Sequence, residues 1–290
     1  MKPSSTKVIL LGTGNPNPDP KHQGCSLIIL VDETPYVVDF GAGLVRQVAA
    51  LTPEYGGTSE NGRPLKELQI PNLKTAFLTH MHSDHTVGYP DLILTPWVMG
   101  RDTPLEVYGP EGIVEMTEHI LQAYEKDIRY RIIGLEHGND QGWRVNAHTL
   151  REGVIYETDG VKVEAFLVQH GTMPDTYGFR FTTPDKVIVI SGDTAPCENI
   201  LRYGQGADIL IHEVYSQNGF DQKDVMWQDY HSTHHTSTLE LAEIARKTQP
   251  GVLVLYHMLF WGAGEQELLD EIAEGYAGEV VVGRDLQVFE

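Results

Sequence analysis

The segment Thr79-His80-Met81-His82-Ser83-Asp84-His85 constrains this chain more than any other. It sets four groups able to bind a metal within six residues, directly after the apolar stretch 73–78. On extended backbone, side chains two apart project to one side, so His80 and His82 face together. Asp84 and His85 then fall where the chain turns into the next apolar stretch, 87–99. Imidazoles and carboxylates are the donors that zinc and similar borderline cations take. A purely structural role fits poorly. An apolar core excludes Asp84, and a solvated face has no use for three histidines.

Three further residues stand where an apolar run ends: His170 after 161–168, Asp193 after 187–190 and His257 after 252–256. Layered α/β folds build their sites where strands leave the sheet. Each residue alone reads equally well as a turn residue, but together they supply the missing ligands for two metals. Apolar patterning predicts further strands at 7–11, 27–31, 36–40, 105–108, 177–181, 209–211, 279–282 and 286–289, with helices at 43–51, 111–125, 199–203, 239–247 and 265–274. Residues 127–160 are the least regular and read as an insertion or cover. No linker divides the chain, so 1–290 is expected to be one layered domain.

Composition narrows the function. With 41% hydrophobic and 21% charged residues, the chain is an ordinary globular one. Its 21 Lys plus Arg against 41 Asp plus Glu give a formal charge of −20, which argues against a general polyanion binder and makes nucleic acid a disfavoured partner. Cys25 and Cys197 are too few for a disulfide framework or a four-cysteine zinc site. No apolar run reaches the ~18 residues of a membrane span, so no membrane partner is expected. The polar start lacks the apolar stretch of a signal peptide, so the expected location is the cytoplasm. The loop Gly12-Thr13-Gly14-Asn15-Pro16 lacks the third glycine of a dinucleotide fingerprint and reads as a rigid loop near the site. Trp227 and Trp261 are placed in loops flanking His231 and His257, as pocket residues. Asp39, at a strand end, is a candidate acceptor supporting a ligand.

In their order along the chain, these residues resemble the metallo-β-lactamase superfamily. His80-x-His82-x-Asp84-His85 is followed by His170, Asp193 and His257 at intervals of 85, 23 and 64 residues, and the Gly12-Thr13-Gly14 loop and the Val38-Asp39-Phe40-Gly41 strand end also match. The resemblance implies a four-layer αββα sandwich. It also implies two divalent metal ions, zinc first, with Mn or Fe as alternatives. His80, His82 and His170 would hold one, Asp84, His85 and His257 the other, and Asp193 would bridge them. A closer resemblance is to the ribonuclease Z and arylsulfatase-like branch, through His212-Glu213 and His231-Ser232-Thr233. It implies that Glu213 holds His231 and that His231 is directed at the substrate. The long arm with which ribonuclease Z grips transfer RNA is missing from the 23-residue interval between His170 and Asp193. The resemblance and the 127–160 segment suggest a homodimer.

The expectation is therefore a binuclear zinc hydrolase that uses a metal-bridging hydroxide on small anionic esters, either phosphodiesters or aryl sulfates. Two divalent ions, Asp84, Asp193 and a hydroxide leave a site charge of about +1, which suits an anionic ester. Metal-bound water ionises near pH ~7, Asp84 orients the nucleophile, and a cationic His231 protonates the leaving oxygen. The alternatives are a ribonuclease Z-type tRNA 3′-end endonuclease and a lactonase or β-lactamase.

Overall fold

The computed structural model describes residues 5–59, 62–158 and 160–290. The α/β class stands, with two seven-stranded mixed sheets and ten α-helices among the described residues. The chain, expected as one domain, divides into two compact units. One runs up to Leu150 and includes Arg284–Glu290; the other is Arg151–Gly283.

The first unit orders its strands β14-β1-β2-β3-β4-β5-β6, where β1 is Thr6–Gly12, β2 Ser26–Val31, β3 Thr34–Val38, β4 Thr75–Phe77, β5 Leu105–Gly109, β6 Val145–Thr149 and β14 Val288–Phe289. β1, β2 and β3 pair antiparallel, and β3 to β6 run parallel. Asp32 takes the left-handed conformation (φ 53°) that the tight β2–β3 turn requires. Alternate residues Ile9, Leu11, Ile28, Leu30 and Val37 pack with α1 (Leu44–Ala49), α3 (Tyr89–Val98) and α4 (Ile113–Ala123). Each such aliphatic side chain contributes roughly 1.5–3 kcal/mol by leaving water. A buried cation braces the same unit: Arg101 donates to the carbonyls of Leu73, Leu92, Ile93 and Gly142. Burial lowers its pKa only to about 10, so it stays charged at neutral pH.

The second unit orders its strands β13-β12-β11-β10-β9-β8-β7, where β7 is Gly153–Thr158, β8 Val161–Leu167, β9 Tyr177–Thr182, β10 Val187–Ile190, β11 Ile209–Tyr215, β12 Val252–Leu259 and β13 Val280–Val282. Parallel pairing runs from β10 to β13, where the strands are nearly continuous Ile, Leu and Val. Helices α6 (Glu198–Tyr203), α9 (Thr238–Thr248) and α10 (Glu265–Ala273) bury Ile200, Leu241, Ile244, Leu268 and Ile272 against Leu210, Leu253 and Leu255. A capping box opens α9: Ser237 Oγ accepts from the Glu240 N–H, and Glu240 accepts from the Ser237 N–H.

Two expectations change. Residues 127–160, expected to be the least regular part, are largely regular among the described residues. They hold most of α5 (Glu125–Ile133), and then β6 and β7 give each sheet an edge strand. The segment around Trp227, expected as loop, forms α7 (Gln217–Asp221) and α8 (Val225–His234). The buried Glu271 carboxylate ties down the first of these by accepting from Ser216 Oγ and from the N–H groups of Gln217 and Asn218. Asp224 caps α8 by accepting from the Trp227 N–H.

Candidate metal centre

In the first unit the donors follow β4. Asp39 adopts a left-handed backbone (φ 60°), an uncommon state whose strain is retained mostly at functional positions. Its carboxylate accepts from the Thr79 N–H at 2.8 Å and from Thr79 Oγ1 at 3.0 Å. Since a carboxylate only accepts, the single hydroxyl proton of Thr79 is directed at Asp39. Thr79 Oγ1 must then accept from His80 Nδ1, 3.0 Å away. Asp39 Oδ2 likewise takes the Nδ1 proton of His85 at 2.8 Å. Both imidazoles thereby carry a proton on Nδ1, so that in the neutral ring the lone pair falls on Nε2, the state a metal ligand needs.

His82 precedes the short helix α2 (Ser83–Thr86), and its Nδ1 lies 3.0 Å from His80 Nε2. The expected pairing of these two rings is thus present, although β4 has already ended at Phe77. Asp84 Oδ2 lies 3.5 Å from His85 Nε2. With the ring neutral, two acceptors face each other there, an arrangement a shared cation stabilises. Asp84 and Ser83 also line an open cavity of about 460 Å³ with Asn17, Pro18, His22 and Gln23. The proline-rich loop therefore borders the donor set, as expected.

In the second unit, His170 follows β8 and donates Nδ1–H to the His234 carbonyl at 2.7 Å, which again leaves Nε2 as an acceptor. Asp193 follows β10, and its Oδ2 lies 3.4 Å from His257 Nε2. His257 does not end its strand. It is the extra residue of a bulge in β12, where Glu213 pairs with Tyr256 and Val214 with Met258, and it takes φ 47°. Bulges re-aim side chains beside active sites. Donor atoms of Asp193, His235 and His257 all lie within 4.8 Å of one another, and all three residues are buried.

The pairing of Glu213 with His231 is corrected. Glu213, inside β11 and fully buried, faces His235 Nδ1 at 3.4 Å and accepts from the Thr236 N–H at 2.9 Å. His231 instead lies on α8 between aromatic rings, 4.3 Å from Trp261 and 5.7 Å from Trp227. Nor is it cationic. Burial first, then the neighbouring His235, Lys223 and His234, lower its pKa to about 4. Burial also pushes the Glu213 carboxyl well above the usual range, with Asp193 adding to the effect. His212 reads as structural: it is fully buried, donates Nδ1–H to the Glu213 carbonyl, and is pushed down to about 4 by burial.

Sequence reasoning missed His235. Two similar triplets stand four residues apart, His231-Ser232-Thr233 and His235-Thr236-Ser237. Only the second runs into a Ser-x-x-Glu capping box, which marks it as a loop at a helix start rather than part of a helix.

Each unit therefore presents convergent imidazole and carboxylate donors. Three of the rings are oriented by acceptors of the chain itself, a donor chemistry that fits divalent cations of the zinc type.

The comparisons agree. The family model described as the beta-lactamase superfamily domain matches residues 53–258. Ribonuclease Z of Mycobacterium bovis is 32% identical over 293 residues, covering 97% of this chain and 96% of that protein. Among solved structures, the metallo-beta-lactamase fold protein YhfI from Bacillus subtilis matches with a TM-score of 0.74 at 16% identity, covering 98% of each chain. Human tRNase Z, short form, matches with a TM-score of 0.69 at 21% identity, also covering 98% of each. The chain belongs to the metallo-β-lactamase superfamily, a class of metal-dependent hydrolases. Within that class it falls in the ribonuclease Z branch. No helix among the described residues is long and apolar enough to cross a membrane.

Proposed function

We propose that this protein is a metal-dependent phosphodiesterase of the ribonuclease Z type, acting on a nucleotidyl phosphodiester. The observation that carries this reading is the 32% identity to ribonuclease Z over nearly the full length of both chains. The sequence argument from a missing arm loses force against that likeness. The alignment's 293 positions cover 97% of this chain and 96% of that relative, which leaves room for only short insertions there. The −20 charge still disfavours extensive backbone contacts, so the substrate is engaged mainly near the scissile phosphate.

In this reading His80, His82, Asp84, His85, His170, Asp193 and His257 hold two divalent metals, zinc first. Support comes from their order in the sequence and from the Nε2 lone pairs set within each unit. Such ions supply Lewis acidity, which acidifies water and neutralises charge on the ester. The chain's own groups do the rest. Asp84 orients the attacking water. His235, held by Glu213, takes the general-acid role expected of His231 and delivers a proton to the leaving oxygen. Thr194 and Thr236 donate backbone N–H groups to Glu213 and fix its orientation.

Kinetics of the zinc-loaded protein on aryl phosphodiester, dinucleotide, precursor tRNA, aryl sulfate, acyl-homoserine lactone and β-lactam test the proposal. Turnover of the phosphodiesters is expected. Turnover confined to the sulfate, lactone or lactam would overturn it.

A further inference from the structure

Helix α8 carries an unusual surface. Val225, Met226, Trp227 and Tyr230 are all exposed, Trp227 by 47% and Tyr230 by 39%. A cluster of large apolar groups left in water marks a binding surface more often than chance exposure does. The rings are ordered by helical spacing. Trp227 lies 24° from parallel to His231 four residues on, and Tyr230 stacks on His234 at 4.0 Å. Trp261 covers another side of His231 at 4.3 Å and leans on Tyr215 at 5.2 Å.

Two details separate this cluster from ordinary packing. Trp261 holds a left-handed backbone (φ 46°), a genuine outlier for so bulky a residue and one that the surrounding structure must hold in place. Above its ring sits Lys223 Nζ, 4.4 Å from the centroid, a cation within a chain of −20 charge. His231 is buried among these rings, with no hydrogen-bond partner for Nδ1 among the described residues. The row continues into the chemistry: His231 lies 5.6 Å from His235, which lies 6.0 Å from His257.

We propose that Trp227 and Trp261, with Lys223, form a subsite that stacks a nucleobase of the substrate beside the scissile phosphodiester. The exposed ring of Trp227 offers a π-face, as base-stacking platforms in single-strand binders do. Lys223 supplies the cation for an adjoining phosphate. This subsite rests on the phosphodiesterase reading and refines its substrate class.

The test has two arms on the zinc-loaded protein. In the first, tryptophan fluorescence is titrated with adenosine 5′-monophosphate and with ribose 5-phosphate. Quenching by the nucleotide alone is expected, weakened about tenfold in Trp227→Ala and largely retained in Trp227→Phe. In the second, KM and kcat are measured on a dinucleotide and on a methyl phosphodiester lacking a base. Trp227→Ala should raise KM about tenfold for the dinucleotide only, with kcat little changed. Nucleotide affinity independent of Trp227, or an equal KM change for the base-free ester, overturns the subsite. An absence of any phosphodiester turnover overturns the phosphodiesterase reading instead, and the fluorescence arm still decides the subsite. Unchanged melting temperatures in both variants show that the effects are local.

Discussion

Asp39 Oδ2 accepts the Nδ1 proton of His85 at 2.8 Å, and both side chains are buried. The same carboxylate receives Thr79, which in turn orients His80. One buried carboxylate thus orients two candidate ligands.

Asp39→Asn should therefore weaken metal binding without unfolding the protein. The amide keeps the shape but loses the charge that holds the ring. A fall of about 10–100-fold in zinc affinity is expected, the usual cost of losing such a support. Competition with a chromophoric chelator measures it, and wild-type affinity in the variant would refute the role.

The reassigned acid gives a sharper outcome. His235→Ala should retain both metals by elemental analysis yet lose about 10²–10⁴-fold in kcat on esters with poor leaving groups. The loss should shrink on p-nitrophenyl esters, whose leaving group needs no proton. An equal loss on both substrates would remove His235 from that role. Metal loss in the variant would reassign it as a ligand beside Asp193 and His257.

Acid sensitivity should come in part from His212. In the unfolded chain this ring protonates near its ordinary value of 6.5, but in the folded strand burial holds it neutral down to about 4. Between those values the unfolded state binds the additional proton, so the stability is complete above pH 6.5 and is lost as pH falls toward 4. The loss amounts to about 3 kcal/mol by pH 4. Denaturant titrations of wild type and His212→Gln across this range should converge on acidification. Parallel curves would show that the ring does not titrate in this way.

Arg101→Met should be among the most damaging changes away from the site. It removes a buried cation that donates to the carbonyls of Leu73, Leu92, Ile93 and Gly142. Leaving several buried carbonyls without their donor costs about 3–5 kcal/mol, or roughly 10 °C in melting temperature. Calorimetry reads this directly, and a shift of a degree or two would mean that the carbonyls find other donors.

Much of the donor set was legible because it is written locally. An apolar run followed by a polar residue marks His80, His170 and Asp193, and each does follow a strand. His257 shows the limit of that rule. Its strand continues to Leu259, and only a bulge, invisible in composition, turns the ring. Helix α8 was hidden because its ten residues carry aromatics and histidines rather than a stripe of aliphatics, and its start depends on one Asp224 cap. Edge strands β6 and β7 are rich in polar residues such as Asn146, His148 and Glu157, since an edge need not be buried on both faces. The Glu213–His235 relationship spans 22 residues and exists only once β11 and the start of α9 are brought together.

Asp285 clamps the loop beside the candidate centre, accepting from the Thr13 N–H and hydroxyl and from the Gln23 N–H. Residues 284–290 reach the ribosome exit only after the whole of Arg151–Gly283 has been made. The nascent chain therefore holds its four clustered donors, His80 to His85, beside an unfinished wall until Arg151–Gly283 has been made. Completion of that wall and capture of the edge strand β14 by β1 therefore come together, after Arg151–Gly283 has been made. The order of synthesis thus delays the finished pocket until the second set of donors has also been made.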